Sequence, residues 1–279
     1  MSAALEIGEA RCVAPLAAVL GEGPLYDPRE GALYSLDIKG GKIFRTDLST
    51  EETKIYNASG MVSALALAQS GGLLCARRDG FARLHFEKDQ AVFAPIIDPE
   101  KDLPGNRFND GKADPLGGFW AGTMDDSEEE TTGGWWRLAP DGAVTQIDRG
   151  YHVTNGPAFD GARGRVFLTD SAKQTVFVAE TDGASISNKR VFLQFGDGDG
   201  YPDGMAVDAE GALWVAFWDG ACLRRFAPDG ALIQTVEMPT PRPTSLAFAG
   251  DERTLYVTSA SIGLEDATHA GALFAVDLA

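Results

Sequence analysis

Residues 201–218, YPDGMAVDAEGALWVAFW, carry the pattern that decides the fold. A short apolar run, GMAV, leads through the turn sequence DAEG into a second apolar run, ALWVAFW, centred on Trp214. Two such runs around a turn rich in glycine and acidic residues are typical of an antiparallel pair of β-strands. Because similar pairs recur along the chain, this stretch is one unit of a repeat.

Six strand centres of this type align, and the distances between successive centres are 40, 46, 47, 47 and 42 residues. The centres are Tyr34, Leu74, Trp120, Phe167, Trp214 and Tyr256. Each follows a turn and precedes a further strand, as in GGWWRLAPDG and GALFAVDL. Repeats of this length, with about four short strands each, match the blades of a β-propeller. A β-sandwich is the alternative, but a sandwich has no reason to repeat at this period.

The sequence therefore predicts an all-β fold, namely a six-bladed β-propeller with four-stranded blades that fills residues 1–279 as a single domain. A strand within residues 8–20 is expected to join the last blade and so close the ring. Such closure would remove an exposed sheet edge.

Composition limits the classes of function. The chain has 279 residues, 44% of them hydrophobic and 23% charged, as in ordinary globular proteins. Its apolar runs are far shorter than the ~20 residues of a membrane helix, and no basic segment precedes an apolar one at the start, so a cytoplasmic location is expected. A net charge of −17 disfavours nucleic acids and anionic membranes as partners. The charge is compatible with a bound cation, or with solubility alone.

The sequence lacks the motifs of cysteine-based metal or redox sites and of serine hydrolases. The three cysteines, Cys12, Cys75 and Cys222, form no CxxC pair and are expected to be reduced thiols. The sequence has no GxSxG motif, which disfavours a serine hydrolase. The three histidines, His85, His152 and His269, are isolated in the sequence.

A set of polar residues lies eleven or twelve positions before the six strand centres. They are Glu22, Ser63, Asn109, Asn155, Asp203 and Ser245. Since the first strand of each blade lines the central channel of a propeller, equivalent positions are expected to form one ring. Two carboxylates and two amides that converge are costly to bury unless a cation joins them, and all-oxygen ligation suits hard divalent ions. Asn or Asp before Gly also forms turns, but four in register favour a site over turns alone.

The motifs that carry these residues resemble a known family. LGEGPLYDPREGALYSLDI, RFNDGKADPLGGFWAGTM, VTNGPAFD and YPDGMAVDAEGALWVA occur in the order found in the senescence marker protein/regucalcin, gluconolactonase and luciferin-regenerating enzyme family. The resemblance covers essentially the whole chain. The SNKRVF segment followed by YPDG is similar to the bacterial sugar lactonases of that family, including xylonolactonase- and arabinonolactonase-like members.

The resemblance implies one catalytic divalent metal ion (Ca, Mg, Mn, Zn or Fe(II)). Its ligands would be Glu22, Asn155 and Asp203. Because Asp203 would lie beside the ion, metal chemistry suggests that it also acts as general base toward the attacking water. Arg107 and Asn109 would contact substrate. Vertebrate members place a substrate-contacting Glu shortly after AGTM, where this chain has Ser127 followed by Glu128, so either residue could contact the sugar.

These observations predict a metal-dependent sugar lactonase that hydrolyses an aldonolactone to the aldonic acid. The expected partner is a small sugar lactone, with no nucleic acid and no membrane, and the protein is expected to be a monomer or a weak homo-oligomer. The alternatives are a metal-dependent hydrolase of the phosphotriesterase type and a non-catalytic calcium-binding propeller.

Overall fold

The computed structural model describes residues 5–250, 252–264 and 267–278, which form β-strands and one short 3₁₀ helix, η1 (Gly161–Arg163). The strands of the first half of the chain are β1 (Arg11–Ala14), β2 (Gly21–Asp27), β3 (Ala32–Asp37), β4 (Lys42–Asp47), β5 (Thr53–Asn57), β6 (Val62–Leu67), β7 (Leu73–Arg77), β8 (Gly80–Glu87), β9 (Gln90–Ile97), β10 (Asn106–Ala113), β11 (Phe119–Asp125) and β12 (Gly133–Leu138). Those of the second half are β13 (Val144–Tyr151), β14 (Thr154–Asp160), β15 (Arg165–Asp170), β16 (Thr175–Thr181), β17 (Ile186–Gln194), β18 (Tyr201–Val207), β19 (Leu213–Trp218), β20 (Cys222–Phe226), β21 (Leu232–Glu237), β22 (Pro243–Ala249), β23 (Thr254–Ser259) and β24 (Leu273–Asp277). The all-β prediction is confirmed for these residues.

The turn of the DAEG motif shows why the strands pair as they do. Asp208 accepts hydrogen bonds from the main-chain N–H groups of Glu210 (3.0 Å) and Ala212 (2.9 Å). Gly211 adopts a φ of 82°, which a residue with a side chain would adopt only with strain. The second carboxylate oxygen of Asp208 accepts from the indole of Trp214 at 3.0 Å. The acidic residue thus caps the turn and anchors the strand that follows it.

The strands are arranged in antiparallel sheets of the kind that make up propeller blades, with one larger sheet. Four sheets have four strands each, in the orders β1-β24-β23-β22, β10-β11-β12-β13, β14-β15-β16-β17 and β18-β19-β20-β21. The fifth sheet has eight strands in the order β2-β3-β4-β5-β9-β8-β7-β6.

The prediction of six separate four-stranded blades closed by an N-terminal strand is therefore wrong, because the described residues form four such sheets and one of eight strands. The eight-stranded sheet arises because β5 pairs with β9. Asn57 forms a parallel bridge with Gln90, and its N–H donates to the carbonyl of Asp89 at 2.8 Å. Strand edges present unpaired N–H and C=O groups that favour such pairing. The strand of residues 11–14 pairs with β24 at an edge of its sheet.

The chain divides into two compact units, residues 1–55 with 195–279 and residues 56–194. The first has a hydrophobic core that includes the fully buried Trp214 and Phe274, and the second has cores that include the fully buried Trp120 and Phe119. The single-domain arrangement stays a prediction. No helix in the described part of the chain has the length and hydropathy needed to cross a membrane.

Candidate functional site

The six polar positions singled out from the sequence share one local structure. Each lies on a strand at one end of its sheet, beside an irregularity in register of the kind that a β-bulge produces. All six are buried. Because a bulge redirects a side chain away from regular alternation, bulges often occur next to functional sites. The common irregularity supports treating these positions as equivalent.

In the second unit, Asn109 and Asn155 are joined directly. The amide Nδ2 of Asn109 donates to Oδ1 of Asn155 at 3.1 Å and to the main-chain carbonyl of Thr154 at 2.8 Å. Nδ2 of Asn155 donates in turn to Oγ of Ser171 at 2.8 Å. Strands β10 and β14 therefore hold the two amides in contact in a region that is almost fully buried.

These partners fix which way each amide points. Arg107 can only donate, and its Nη1 lies 2.7 Å from Oδ1 of Asn109. The carbonyl of Thr154 can only accept, so Nδ2 of Asn109 must face it and also face Asn155. The atom of Asn155 that meets Asn109 is consequently its oxygen, which remains an acceptor available in part for a ligand.

Arg107 belongs to the same network. Its Nη1 also donates to the carbonyl of Phe108 at 3.0 Å, and its Nε donates to Oδ1 of Asp126 at 2.7 Å. Only 3% of the Arg107 side chain is exposed. The guanidinium is thus held through Nε and Nη1.

The buried carboxyl group of Asp110 binds the backbone next to Asn109 and Asn155. It is 1% exposed, and its two oxygens accept from the N–H groups of Gly111 at 2.7 Å and Gly156 at 2.8 Å. Burial raises the pKa of Asp110 to about 6, although Lys112 and the two hydrogen bonds act in the opposite direction. Because Gly156 follows Asn155, the carboxylate holds the backbone that presents the Asn155 amide.

In the first unit, Glu22 and Asp203 lie on β2 and β18, which both pack against β22. They are 5% and 6% exposed. A Cβ atom on Gly204 would lie 2.1 Å from Oγ of Ser245, so the missing side chain allows β18 to approach β22. On the other side of β22, the hydroxyl of Thr244 donates to the carbonyl of Gly21 at 2.5 Å. Two buried carboxylates are thus held on the strands that flank β22.

The predicted substrate residue Glu128 lies in the loop after β11 and is exposed. Its main-chain carbonyl accepts from Nε2 of His152 at 2.7 Å. Ser127 is also exposed, and its hydroxyl donates to Asp125 at 2.5 Å. The loop carboxylate that the structure brings to Arg107 is Asp126.

The donor chemistry of Glu22, Asn155 and Asp203 fits a hard divalent cation. Each of the three side chains offers a carboxylate or amide oxygen, the donor type that hard divalent cations prefer. Among the described residues, no three His, Cys, Asp or Glu side chains form a group that could hold a metal ion. The predicted set is of a different kind, because it has two carboxylates and one amide.

Sequence analysis did not identify Asp110, Asp126 and Ser171 as hydrogen-bond partners of the predicted site residues or of the backbone beside them. Asp110 stands inside the NDG motif, where it suggests a turn, and Asp126 stands in an acidic run that suggests a solvated loop. Ser171 lies sixteen residues after Asn155, and its contact with that amide depends on the pairing of β14 with β15. The position of Asp110 next to Asn109 was the one signal that could have identified it.

The structure thus combines repeated antiparallel sheets with buried carboxylates and amides beside the register irregularities of their end strands. Residues 20–261 match the model of the SMP-30/Gluconolactonase/LRE-like region, and the chain belongs to this family. The predicted family is confirmed.

Two relatives and one solved structure illustrate the relationship. Regucalcin of Xenopus laevis is 36% identical over 265 residues, which cover 91% of this chain and 88% of the relative. The pentonolactonase XacC of Haloferax volcanii is 34% identical over 273 residues, covering 93% and 91%. A crystal structure described as a calcium-binding protein, regucalcin, from Agrobacterium tumefaciens has a TM-score of 0.91 at 28% identity and covers 100% of this chain and 97% of its own.

Proposed function

We propose that this protein is a metal-dependent sugar lactonase that hydrolyses an aldonolactone of the gluconolactone, xylonolactone or arabinonolactone type to the aldonic acid. The chain is a carboxylic-ester hydrolase of the lactonase class, in keeping with its family and with its pentonolactonase relative. The observation that carries the finer proposal is the Arg107–Asn109–Asn155 network, which presents a fixed amide oxygen beside a fixed guanidinium.

The proposed ligands of the cation are Glu22, Asn155 and Asp203. A divalent cation supplies Lewis-acid polarisation of the lactone carbonyl when it is bound. A regucalcin relative described as a calcium-binding protein supports a divalent ion. The network around Asn155 supports the same assignment, since it leaves the amide oxygen, and not the nitrogen, as the donor atom.

The remaining steps belong to the chain's own residues. Asp203 accepts a proton from the attacking water, because a carboxylate close to the reacting centre can act as general base. Arg107 and Asn109 orient the sugar hydroxyls or assist the carbonyl oxygen through hydrogen bonds. Asp110 holds the backbone behind Asn155. A cytoplasmic location, the absence of nucleic-acid or membrane partners, and a monomeric or weakly associated state stay predictions from the sequence.

Acid release from gluconolactone, xylonolactone, arabinonolactone and a phosphotriester, measured with chelator and after addition of single divalent cations, tests the proposal. We expect lactone turnover that chelator removes and a cation restores. Turnover of the phosphotriester alone would favour the phosphotriesterase alternative, and tight calcium binding without turnover would favour a non-catalytic protein.

Two carboxylate variants separate the proposed roles. Asp203→Asn should lower turnover by about 100-fold or more at saturating cation, because it removes the base. Glu22→Gln should recover more of its activity at high cation concentration if Glu22 is a ligand only. Near-wild-type turnover of Asp203→Asn, with cation content confirmed by elemental analysis, would exclude Asp203 as the base.

A further inference from the structure

Asp126 lies between two arginine side chains in the second unit. Its Oδ1 accepts from Nε of Arg107 at 2.7 Å, and its Oδ2 accepts from Nη1 of Arg78 at 2.8 Å. The side chains of Asp126, Arg107 and Arg78 are 20%, 3% and 46% exposed. One carboxylate therefore balances two guanidinium groups, one of which is nearly buried and bonded to Asn109.

The loop that carries Asp126 is held by one backbone hydrogen bond and by the side chain of Asp125. The N–H of Asp126 donates to the carbonyl of Gly105 at 3.0 Å. The preceding residue, Asp125, accepts from the N–H groups of Glu129 at 3.1 Å and Glu130 at 3.2 Å. These bonds restrain the backbone around Asp126 and so favour the position of its carboxylate beside Arg107.

Arg78 and Arg107 also line a cavity of about 250 Å³. The charged residues of its lining are three cations and three carboxylates, namely Arg78, Lys101, Arg107, Asp79, Asp98 and Glu100. The charges of these six lining residues sum to zero. When Asp126, which pairs with both arginines, is added to them, the net charge of the group is negative.

We infer that Asp126 is a positioning residue that holds Arg107 toward a neutral substrate and prevents the arginine pair from retaining an anionic product. This inference rests on the proposed function. Hydrolysis of a lactone adds water across the ester C–O bond and converts a neutral ester into a carboxylic acid, which is ionised at pH 7 because its proton has passed to solvent. An arginine without its counter-charge would bind that carboxylate strongly. With Asp126 in place, Arg107 can donate hydrogen bonds to hydroxyl groups while the product anion is disfavoured.

The test compares Asp126→Asn, Asp126→Glu and wild type for inhibition of lactone hydrolysis by gluconate and for gluconate binding by calorimetry. Asp126→Asn should bind gluconate about tenfold more tightly, and high salt should weaken this gain. Its KM for the neutral lactone should rise, because Arg107 loses its partner. Asp126→Glu, which keeps the charge, should restore both properties toward wild type.

Two further variants act as controls. Asp148→Asn removes a carboxylate of similar exposure, 19%, that pairs with Lys189 on outer strands, and it should leave gluconate binding unchanged. Arg78→Gln removes one positive charge from the Asp126 cluster and should weaken gluconate binding, which keeps the inference testable if Asp126→Asn does not fold.

The outcomes separate this inference from the proposed function. Gluconate binding that changes by less than twofold in both Asp126→Asn and Arg78→Gln, in an enzyme that hydrolyses lactones, overturns the role of Asp126 alone. A wild-type protein that hydrolyses no lactone under any cation condition overturns the proposed function, and the product-release role with it.

Discussion

The buried carboxyl group of Asp110 makes the stability of this protein depend on pH in a direction opposite to that of a salt-bridged carboxylate. Its pKa is raised from the ordinary value of 3.8 to about 6, chiefly by burial. The folded state therefore holds a proton between these two pH values, where the unfolded chain has lost it. The stabilising contribution is full below pH 3.8 and is lost as the pH rises through 6.

The expected magnitude follows from the two pKa values. A rise from 3.8 to about 6 corresponds to about 3 kcal/mol in total. Over the range from about pH 5 to pH 7.5, the contribution of Asp110 to the free energy of unfolding should fall by about 1.4 kcal/mol, with nearly all of the change below pH 7.

The assay is urea unfolding of wild type and Asp110→Asn at half-unit steps from about pH 5 to 7.5, with chelator present so that no divalent cation contributes. The substitution keeps the shape of the side chain but leaves one of the Gly111 and Gly156 N–H groups facing an amide nitrogen, which costs ~1–3 kcal/mol at every pH. The quantity of interest is the difference in unfolding free energy, wild type minus variant. That difference should decline as the pH rises, and a difference that stays constant or increases would refute the reasoning.

Three further predictions concern the packing and buried polar contacts of the strands. Gly204→Ala should lower the free energy of unfolding by about 1–3 kcal/mol, because the new methyl group would lie 2.1 Å from Oγ of Ser245; a melting temperature equal to that of wild type would contradict this close approach. Asp114→Ala should lower the free energy of chemical unfolding by about 3–5 kcal/mol, since it removes the carboxylate that lies 2.6 Å from Nε of the buried Arg137. The double change Asp114→Ala with Arg137→Met should cost less than the single change, because it leaves no buried charge unpaired. Trp120→Phe should cost about 2 kcal/mol because it removes a fully buried indole and its hydrogen bond to a main-chain carbonyl, and calorimetry showing no loss would exclude that contribution.

The repeated apolar runs and turn residues of the sequence predicted much of the secondary structure correctly. The six strand centres chosen from the sequence lie in β3, β7, β11, β15, β19 and β23. Five of them are buried, and Leu74 is half-buried. The six polar positions before them lie on end strands beside register irregularities, as their common spacing suggested. Such agreement is expected where short-range periodicity and turn residues specify the same element.

Sequence pattern could not predict that β5 would pair with β9 and join eight strands in one sheet. The contact of Asn57 with Gln90 links residues that belong to different repeats, and neither residue carries a signal of that pairing. Backbone N–H and C=O groups at a strand edge are alike in every sequence, so the tertiary arrangement alone decides which edges meet.

The same distinction applies to the site. The sequence by itself determined the family and the all-β class, because these depend on residue type and spacing. The oxygen-donor set of Glu22, Asn155 and Asp203 stays a prediction from the same spacing. The tertiary structure decided that Asp126 pairs with Arg107 and that Asp110 supports the backbone after Asn155. Hydrogen bonds and desolvation act over a few ångströms between strands distant in sequence, and those distances exist only in the folded chain.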